Sequence, residues 1–192
     1  MIAEKVIWLP RGLTADEDTN GHIDNIACFA APAKVILSWT DDQSDPQFAI
    51  SREALAVLQS NPDARGRNIE VIKIQIPPAM YRTEDDMPVS NSARCSIVGD
   101  AADEQIEETE RTVGERLAAS YANFYIAGEP GGPGGIVCPA FGAGTDVLAA
   151  QVLTKCFPGR EIVMVPCGRE IVLDGGNIHC ITQQQPACMM AP

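Results

Sequence analysis

Apolar and polar positions along the chain fall into two similar series. In the first, Ile23 to Phe29 reads as a strand, Ala31-Pro32-Ala33 as a turn and Lys34 to Trp39 as a second strand. An acidic loop, Asp41 to Pro46, leads to a helix over Arg52 to Ser60, where Ala54, Val57 and Leu58 form an i, i+3, i+4 apolar stripe. Asn61-Pro62 stops that helix, and Glu70 to Ile76 returns as a strand. In the second series Tyr121 to Ile126 reads as a strand. The glycine- and proline-rich stretch Glu129 to Gly135 forms a loop, and Ile136 to Pro139 a short strand. Thr145 is placed to cap a helix running to Cys156, with Ala149, Val152, Leu153 and Cys156 on one face. Phe157-Pro158-Gly159 ends it, and Glu161 to Val165 is the return strand.

Both series read β-β-α-β, which predicts an α/β (α+β) architecture. A unit this small has one apolar face and poorly covered sheet edges, so such units pack into a larger ring or stack. Strand-like Val6 to Leu9 stands almost at the start of the chain. Residues 1–192 are therefore expected to be part of a larger repeat assembly.

Between the series, Glu84 to Glu110 holds nine acidic residues and one basic residue, Arg94. It reads as a solvated loop and surface helix. Glu107 and Arg111 are spaced for a helical ion pair worth about 0.2–0.5 kcal/mol. The formal charge of the whole chain is −12. Phosphate binding needs a basic surface, so nucleic acid is not an expected partner. A cationic small molecule is compatible with this charge. No run approaches the roughly 18 apolar residues that span a bilayer, so no membrane partner is expected. The first residues lack the pattern of a signal peptide, and a cytoplasmic location is expected.

Seven cysteines are present: Cys28, Cys95, Cys138, Cys156, Cys167, Cys180 and Cys188. The odd number and the absence of a C-x-x-C pair argue against a disulfide framework and against a structural zinc site. Most are expected to be buried small hydrophobes, so a reactive one must be distinguished by its surroundings.

Two segments carry candidate chemistry. In Asp16-Glu17-Asp18-Thr19-Asn20-Gly21-His22-Ile23-Asp24-Asn25, polar residues run into the predicted strand. There His22 and Asp24, two apart, would share a face. An imidazole beside a carboxylate suits proton transfer near neutrality. A carboxylate also grips a guanidinium through paired hydrogen bonds. An isolated H-x-D fits equally a turn with a hydrogen-bonded histidine. In Asp174-Gly175-Gly176-Asn177-Ile178-His179-Cys180-Ile181-Thr182, two glycines permit a tight turn before a predicted strand, Ile178 to Thr182. Cys180 would then be presented just past the loop, or else sit in the core. Strand alternation directs His179 and Cys180 to opposite faces, which favours distant His22 as the base for a Cys180 nucleophile. A metal site of His22, Asp24, His179 and Cys180 is the alternative.

Four motifs carry a resemblance. They are Val6-Ile7-Trp8-Leu9-Pro10, Asp18-Thr19-Asn20-Gly21-His22-Ile23-Asp24-Asn25, Ser38-Trp39-Thr40-Asp41-Asp42 and the run Gly175-Gly176-Asn177-Ile178-His179-Cys180-Ile181-Thr182-Gln183-Gln184-Gln185-Pro186. Together with Asp63-Ala64-Arg65-Gly66-Arg67 and Ser120-Tyr121-Ala122-Asn123-Phe124, the chain resembles the agmatine deiminase family of guanidino-group-modifying enzymes, in order along nearly its whole length. The resemblance implies a five-bladed α/β propeller (pentein) of β-β-α-β repeats, with residues 1–192 as the C-terminal part of that single domain. It implies a hydrolase acting on C–N bonds of linear amidines. Agmatine and water would give N-carbamoylputrescine and ammonia, a step in putrescine biosynthesis, with no metal or organic cofactor.

By the same resemblance Cys180 is the nucleophile and His22 the acid/base. Asp24 is a guanidinium ligand, and Gly176 and Asn177 line the substrate. The expected partner is agmatine; homo-oligomerisation is left open. Family members are about twice this length, and a Glu and a guanidinium-binding Asp lie upstream of the matched region. The chain by itself is therefore expected to turn over little. The rival expectations are an inactive interaction subunit and a deiminase of another guanidine such as arginine. Two positions depart from the family pattern: Cys167 is inserted between Pro166 and Gly168, and Asp174 replaces a third glycine beside the nucleophile loop.

Overall fold

Strand β2, Lys34–Trp39, is apolar on both sides, and that decides its place. Val35, Leu37 and Trp39 face one buried cluster with Ile26, Ile50, Ala54, Leu58 and Ile69, while Ile36 faces a second. A strand buried on both faces reads as a continuous apolar run and belongs in the middle of a sheet. In the computed structural model, which describes residues 4–16, 20–87, 111–128 and 132–183, β2 is indeed central. It pairs antiparallel with β1, Ala27–Ala31, and parallel with β3, Glu70–Gln75. Helix α2, Gln47–Ser60, makes the crossover between β2 and β3.

The second unit repeats this topology. β4, Tyr125–Gly128, pairs antiparallel with β5, Gly134–Pro139, which pairs parallel with β6, Glu161–Val165. Helix α3, Thr145–Cys156, is its crossover. It packs on β6 of its own unit and on β3 of the first. Leu153 and Ala149 enter one core with Ile36, Ile74, Tyr121, Phe124, Ile136 and Phe157. The two β-β-α-β units therefore share their hydrophobic core.

Several boundaries differ from the sequence-based expectation. α2 begins five residues early, at Gln47, behind Pro46. Pro46 presets the helical φ, and Asp45 Oδ1 accepts from the Gln47 N–H as a cap would. Thr145 is the first residue of α3 rather than its cap, and its hydroxyl pairs with Tyr121 Oη. The turn before α3 is closed by Asp146, which accepts from the N–H groups of Phe141 and Ala143 and from the Tyr121 hydroxyl. Tyr121 to Phe124 is a turn, so β4 starts only at Tyr125. There Ser120 Oγ takes the Ala122 N–H that a strand would have offered to a neighbour. Val6 to Leu9 forms no strand, although Ile7 and Leu9 pack on the first unit's core. Of the acidic stretch, only Glu84–Asp86 forms described structure, a 3-10 turn; Glu107 lies outside the described residues.

Arginines tie the connecting segment to both units. Arg116 pairs with Asp45 through two hydrogen bonds of 2.8 and 2.7 Å and holds its carboxyl below the usual range. Buried Arg82 donates to the Leu173 carbonyl at 2.9 Å. Arg169, on the short helix α4, Gly168–Val172, makes a paired contact with Asp86. Cys167 precedes α4 as its exposed cap. Asp174 turns its carboxylate outward to Arg111, 3.2 Å away. Neither residue belongs to the group formed by His22, Asp24 and Cys180.

Candidate active site

The segment before β1 is where the fold departs most from expectation. Ile23–Ile26 forms one helical turn, α1, with His22 as its cap, so His22 and Asp24 do not share a strand face. The turn persists because its polar groups are satisfied from behind. The Asn25 carbonyl accepts the hydroxyls of Ser38 and Ser120, at 3.1 and 2.7 Å, instead of a sheet partner. Just upstream, the backbones of Gly12 and Gly21 touch: a side chain on Gly12 would meet the Gly21 Cα at 2.3 Å.

The segment that carries Cys180 is also not a strand. Gly175 adopts φ 93°, in the left-handed region that favours glycine, and His179–Ile181 closes a 3-10 turn. Successive side chains in a 3-10 turn diverge by about 120° rather than pointing oppositely. The expected placing of His179 and Cys180 on opposite strand faces is therefore overturned. His179 Nδ1 lies 2.7 Å from Asp24 Oδ2, and the Cys180 thiol faces the same oxygen at 3.4 Å. His179 meets the carboxylate, not the sulfur.

Tertiary folding thus brings together three residues singled out from the sequence. The ligand-type atoms of His22, Asp24 and Cys180 all lie within 4.8 Å of one another. Asp24 Oδ1 is buried and has no hydrogen-bond partner among the described residues. Gly176 sits against Cys180, where an added Cβ would lie 2.7 Å from Cys180 Cβ and 3.1 Å from Sγ. Asn177 is fully buried. Its side-chain NH2 donates to Asn25 Oδ1 and the Ala118 carbonyl, and it reaches the sulfur through its backbone N–H.

Asn25 and Asn123 were not among the expected site residues. Asn123 Nδ2 donates to Cys180 Sγ at 3.1 Å and to Asn25 Oδ1 at 2.9 Å, while Asn123 Oδ1 accepts the His179 N–H at 2.7 Å. Asn25 Nδ2 in turn donates to buried Asp16. Three buried asparagines, 25, 123 and 177, therefore converge beneath the thiol. The signal was present as a repeat within the motifs: Asp24-Asn25-Ile26, Ala122-Asn123-Phe124 and Gly176-Asn177-Ile178 each place Asn before a buried apolar residue. Asn25 and Asn123 both stand two residues ahead of their unit's first strand.

The cysteines separate by environment. Burial pushes Cys28 to about 11 and Cys138 higher still. Cys180 is an exposed residue, yet its sulfur is hemmed in by Gly176, Asn123 and Asp24. Lost hydration raises its pKa, and the Asp24 charge and hydrogen bond add to the rise; the Asn177 N–H and the Asn123 amide oppose it. A raised pKa makes the thiolate scarcer at neutral pH than in a free cysteine. The iodoacetamide alkylation rate of Cys180, followed by peptide mass spectrometry, should therefore have its pH midpoint above that of free cysteine. Asp24→Asn should lower that midpoint without fully restoring it, because desolvation is the larger cause. An unmoved midpoint in the variant would show that Asp24 does not act on the sulfur.

Over residues 1–186 the chain matches the sequence profile of the Porphyromonas-type peptidyl-arginine deiminases. The chain belongs to that family. Agmatine deiminases are among the proteins it is similar to. The agmatine deiminase of Medicago truncatula is 50% identical over 184 residues, 95% of this chain and 45% of that protein. That of Pseudomonas fluorescens is 46% identical over 187 residues, 97% of this chain and 46% of that protein. The agmatine deiminase structure from Enterococcus faecalis superposes with a TM-score of 0.74 at 36% identity, covering 95% of this chain and 44% of that one. This peptidyl-arginine deiminase family member thus spans less than half the length of the relatives it matches, with the same mixed α/β fold.

Proposed function

We propose that the chain is the C-terminal part of a single-domain agmatine deiminase, a hydrolase converting agmatine and water to N-carbamoylputrescine and ammonia in putrescine biosynthesis. The observation that carries this reading is the Cys180 sulfur 3.4 Å from the Asp24 carboxylate, with the His22 imidazole in the same cluster. A carboxylate grips a guanidinium by charge-assisted hydrogen bonds, and Asp24 keeps a buried oxygen unpaired for one. The sulfur then stands beside the planar guanidinium carbon, with Gly176 and the Asn177 main chain lining its approach.

The chemistry follows from these roles. The Cys180 thiolate adds to the guanidinium carbon. One C–N bond breaks, and ammonia departs with a proton from His22, leaving a thiouronium on Cys180. His22 then takes a proton from water, the hydroxide adds to the same carbon, and the C–S bond breaks to restore the thiolate; the hydroxyl proton leaves to solvent, which gives the carbamoyl product. The cationic substrate itself favours the thiolate, offsetting the repulsion from Asp24.

In this reading the two β-β-α-β units are two blades of a five-bladed propeller. The exposure of Trp8 (83%), Phe29 (57%) and Val147 (62%) supports it, since such side chains suit a surface covered by further blades. The test has two readouts. The first is labelling of Cys180 by 2-chloroacetamidine, an alkylating guanidinium mimic, with and without agmatine. The second is ammonia release from agmatine and from arginine. It uses the chain alone and the chain co-expressed with the part of the Pseudomonas fluorescens relative that it does not cover. Agmatine should protect Cys180. The chain alone should release little ammonia, and the complemented one should prefer agmatine. Failure of agmatine to protect, or preferential turnover of arginine, counts against the assignment.

A further inference from the structure

We infer that His22, Asp24 and Cys180 form an inhibitory site for a thiophilic divalent cation, Zn2+ above all. The word inhibitory rests on the proposed hydrolase reading; the binding stands on the donor set alone. Imidazole nitrogen, carboxylate oxygen and thiol sulfur lie within 4.8 Å of one another, a grouping found once among the described residues. Three protein ligands of these types plus a water complete a tetrahedral zinc shell. Bonds of about 2.3 Å to sulfur and about 2.0 Å to oxygen at tetrahedral angles imply a sulfur–oxygen edge of about 3.5 Å. The Cys180 Sγ to Asp24 Oδ2 separation is 3.4 Å.

The surroundings are also those of a metal ligand set. His179 Nδ1 on Asp24 Oδ2, at 2.7 Å, fixes the carboxylate as an outer partner does in metal sites. Asp24 Oδ1, buried and without a partner, leaves that carboxylate with an unused acceptor. A thiol and an imidazole suit zinc, whereas Mg2+ and Ca2+ take oxygen ligands and are not matched here. On binding, the Cys180 S–H bond breaks, its proton leaves to water, and the sulfur pair forms the bond to Zn2+. That pair is then no longer available to attack carbon, and the bound cation repels a guanidinium. Zn2+ and agmatine should therefore exclude one another.

The test titrates the whole chain with ZnCl2 by calorimetry in the absence of substrate, and with Co2+ by absorption spectroscopy. One site is expected, with a thiolate-to-cobalt charge-transfer band. Cys180→Ser and His22→Ala should each weaken Zn2+ binding by roughly ten-fold or more, and Cys180→Ser should abolish the band. Cys167→Ser, which removes an exposed thiol outside the cluster, should change neither. Zn2+ affinity retained in Cys180→Ser, equal loss in Cys167→Ser, or Mg2+ binding at the same site would overturn the inference. Failure of the hydrolase reading shows separately, as agmatine that neither protects Cys180 from alkylation nor weakens Zn2+ binding, with the zinc stoichiometry unchanged.

Discussion

Cys180→Ala should abolish agmatine-dependent ammonia release by the complemented chain, a loss of at least about 10^3-fold, because no other group supplies the covalent bond. It should abolish chloroacetamidine labelling at position 180 equally. The fold should survive: Asn123 Nδ2 keeps its bond to Asn25, and Asp24 Oδ2 keeps His179. His22→Ala should separate the two readouts. Loss of an acid/base costs about 10^2–10^4 in turnover, while the sulfur and its carboxylate stay in place for labelling. Ammonia release surviving in Cys180→Ala would sink the nucleophile assignment. Equal loss of labelling in His22→Ala would show that His22 sets the sulfur's reactivity rather than only moving protons for the leaving group and water.

Asn25→Ala should be the most damaging single change beneath the site. Asn25 is fully buried, accepts from Asn123 and Asn177 through one oxygen and donates to Asp16 through its amide. Alanine leaves those groups short of partners in a place water does not reach, at a cost of about 2–3 kcal/mol. For a chain of this length that is a fall in Tm on the order of 5–10 °C. The same change releases Asn123, which holds both the Cys180 sulfur and the His179 N–H. Alkylation of Cys180 should slow by roughly ten-fold or more even where the variant remains folded, since small misplacements of a reacting group are costly. A Tm within about 1 °C of the wild type would show the asparagine cluster to be dispensable.

The repeat itself was legible from periodicity. β2 and β6 were read at their observed limits, and the crossover helices were read in the right order. The Ala149, Leu153 face of α3 was read correctly because a helix must bury its stripe whatever it packs against. What failed were the segments where side chains, not sheet partners, satisfy the backbone. At Ile23–Ile26 the Asn25 carbonyl is taken by two serines far along the chain. At Tyr121 to Phe124 a serine hydroxyl takes a backbone N–H. Apolar spacing is blind to both, and both lie where the site is built.

His179 illustrates the consequence. Its rejection as the base for Cys180 rested on strand alternation, and the alternation is absent because His179–Ile181 is a 3-10 turn. His22, Asp24 and Cys180 nevertheless come together in the fold, and motif and chemistry single them out whatever the local backbone does. The chain's own residues determine two β-β-α-β units, one strand, β2, apolar on both faces, and a short set of reactive side chains. Those depend on local period and residue type. Only the tertiary structure decided that Asp24 serves both Cys180 and His179, and that three asparagines from separate segments hold the thiol. Those depend on hydrogen bonds between residues up to 156 positions apart, whose geometry no local pattern encodes.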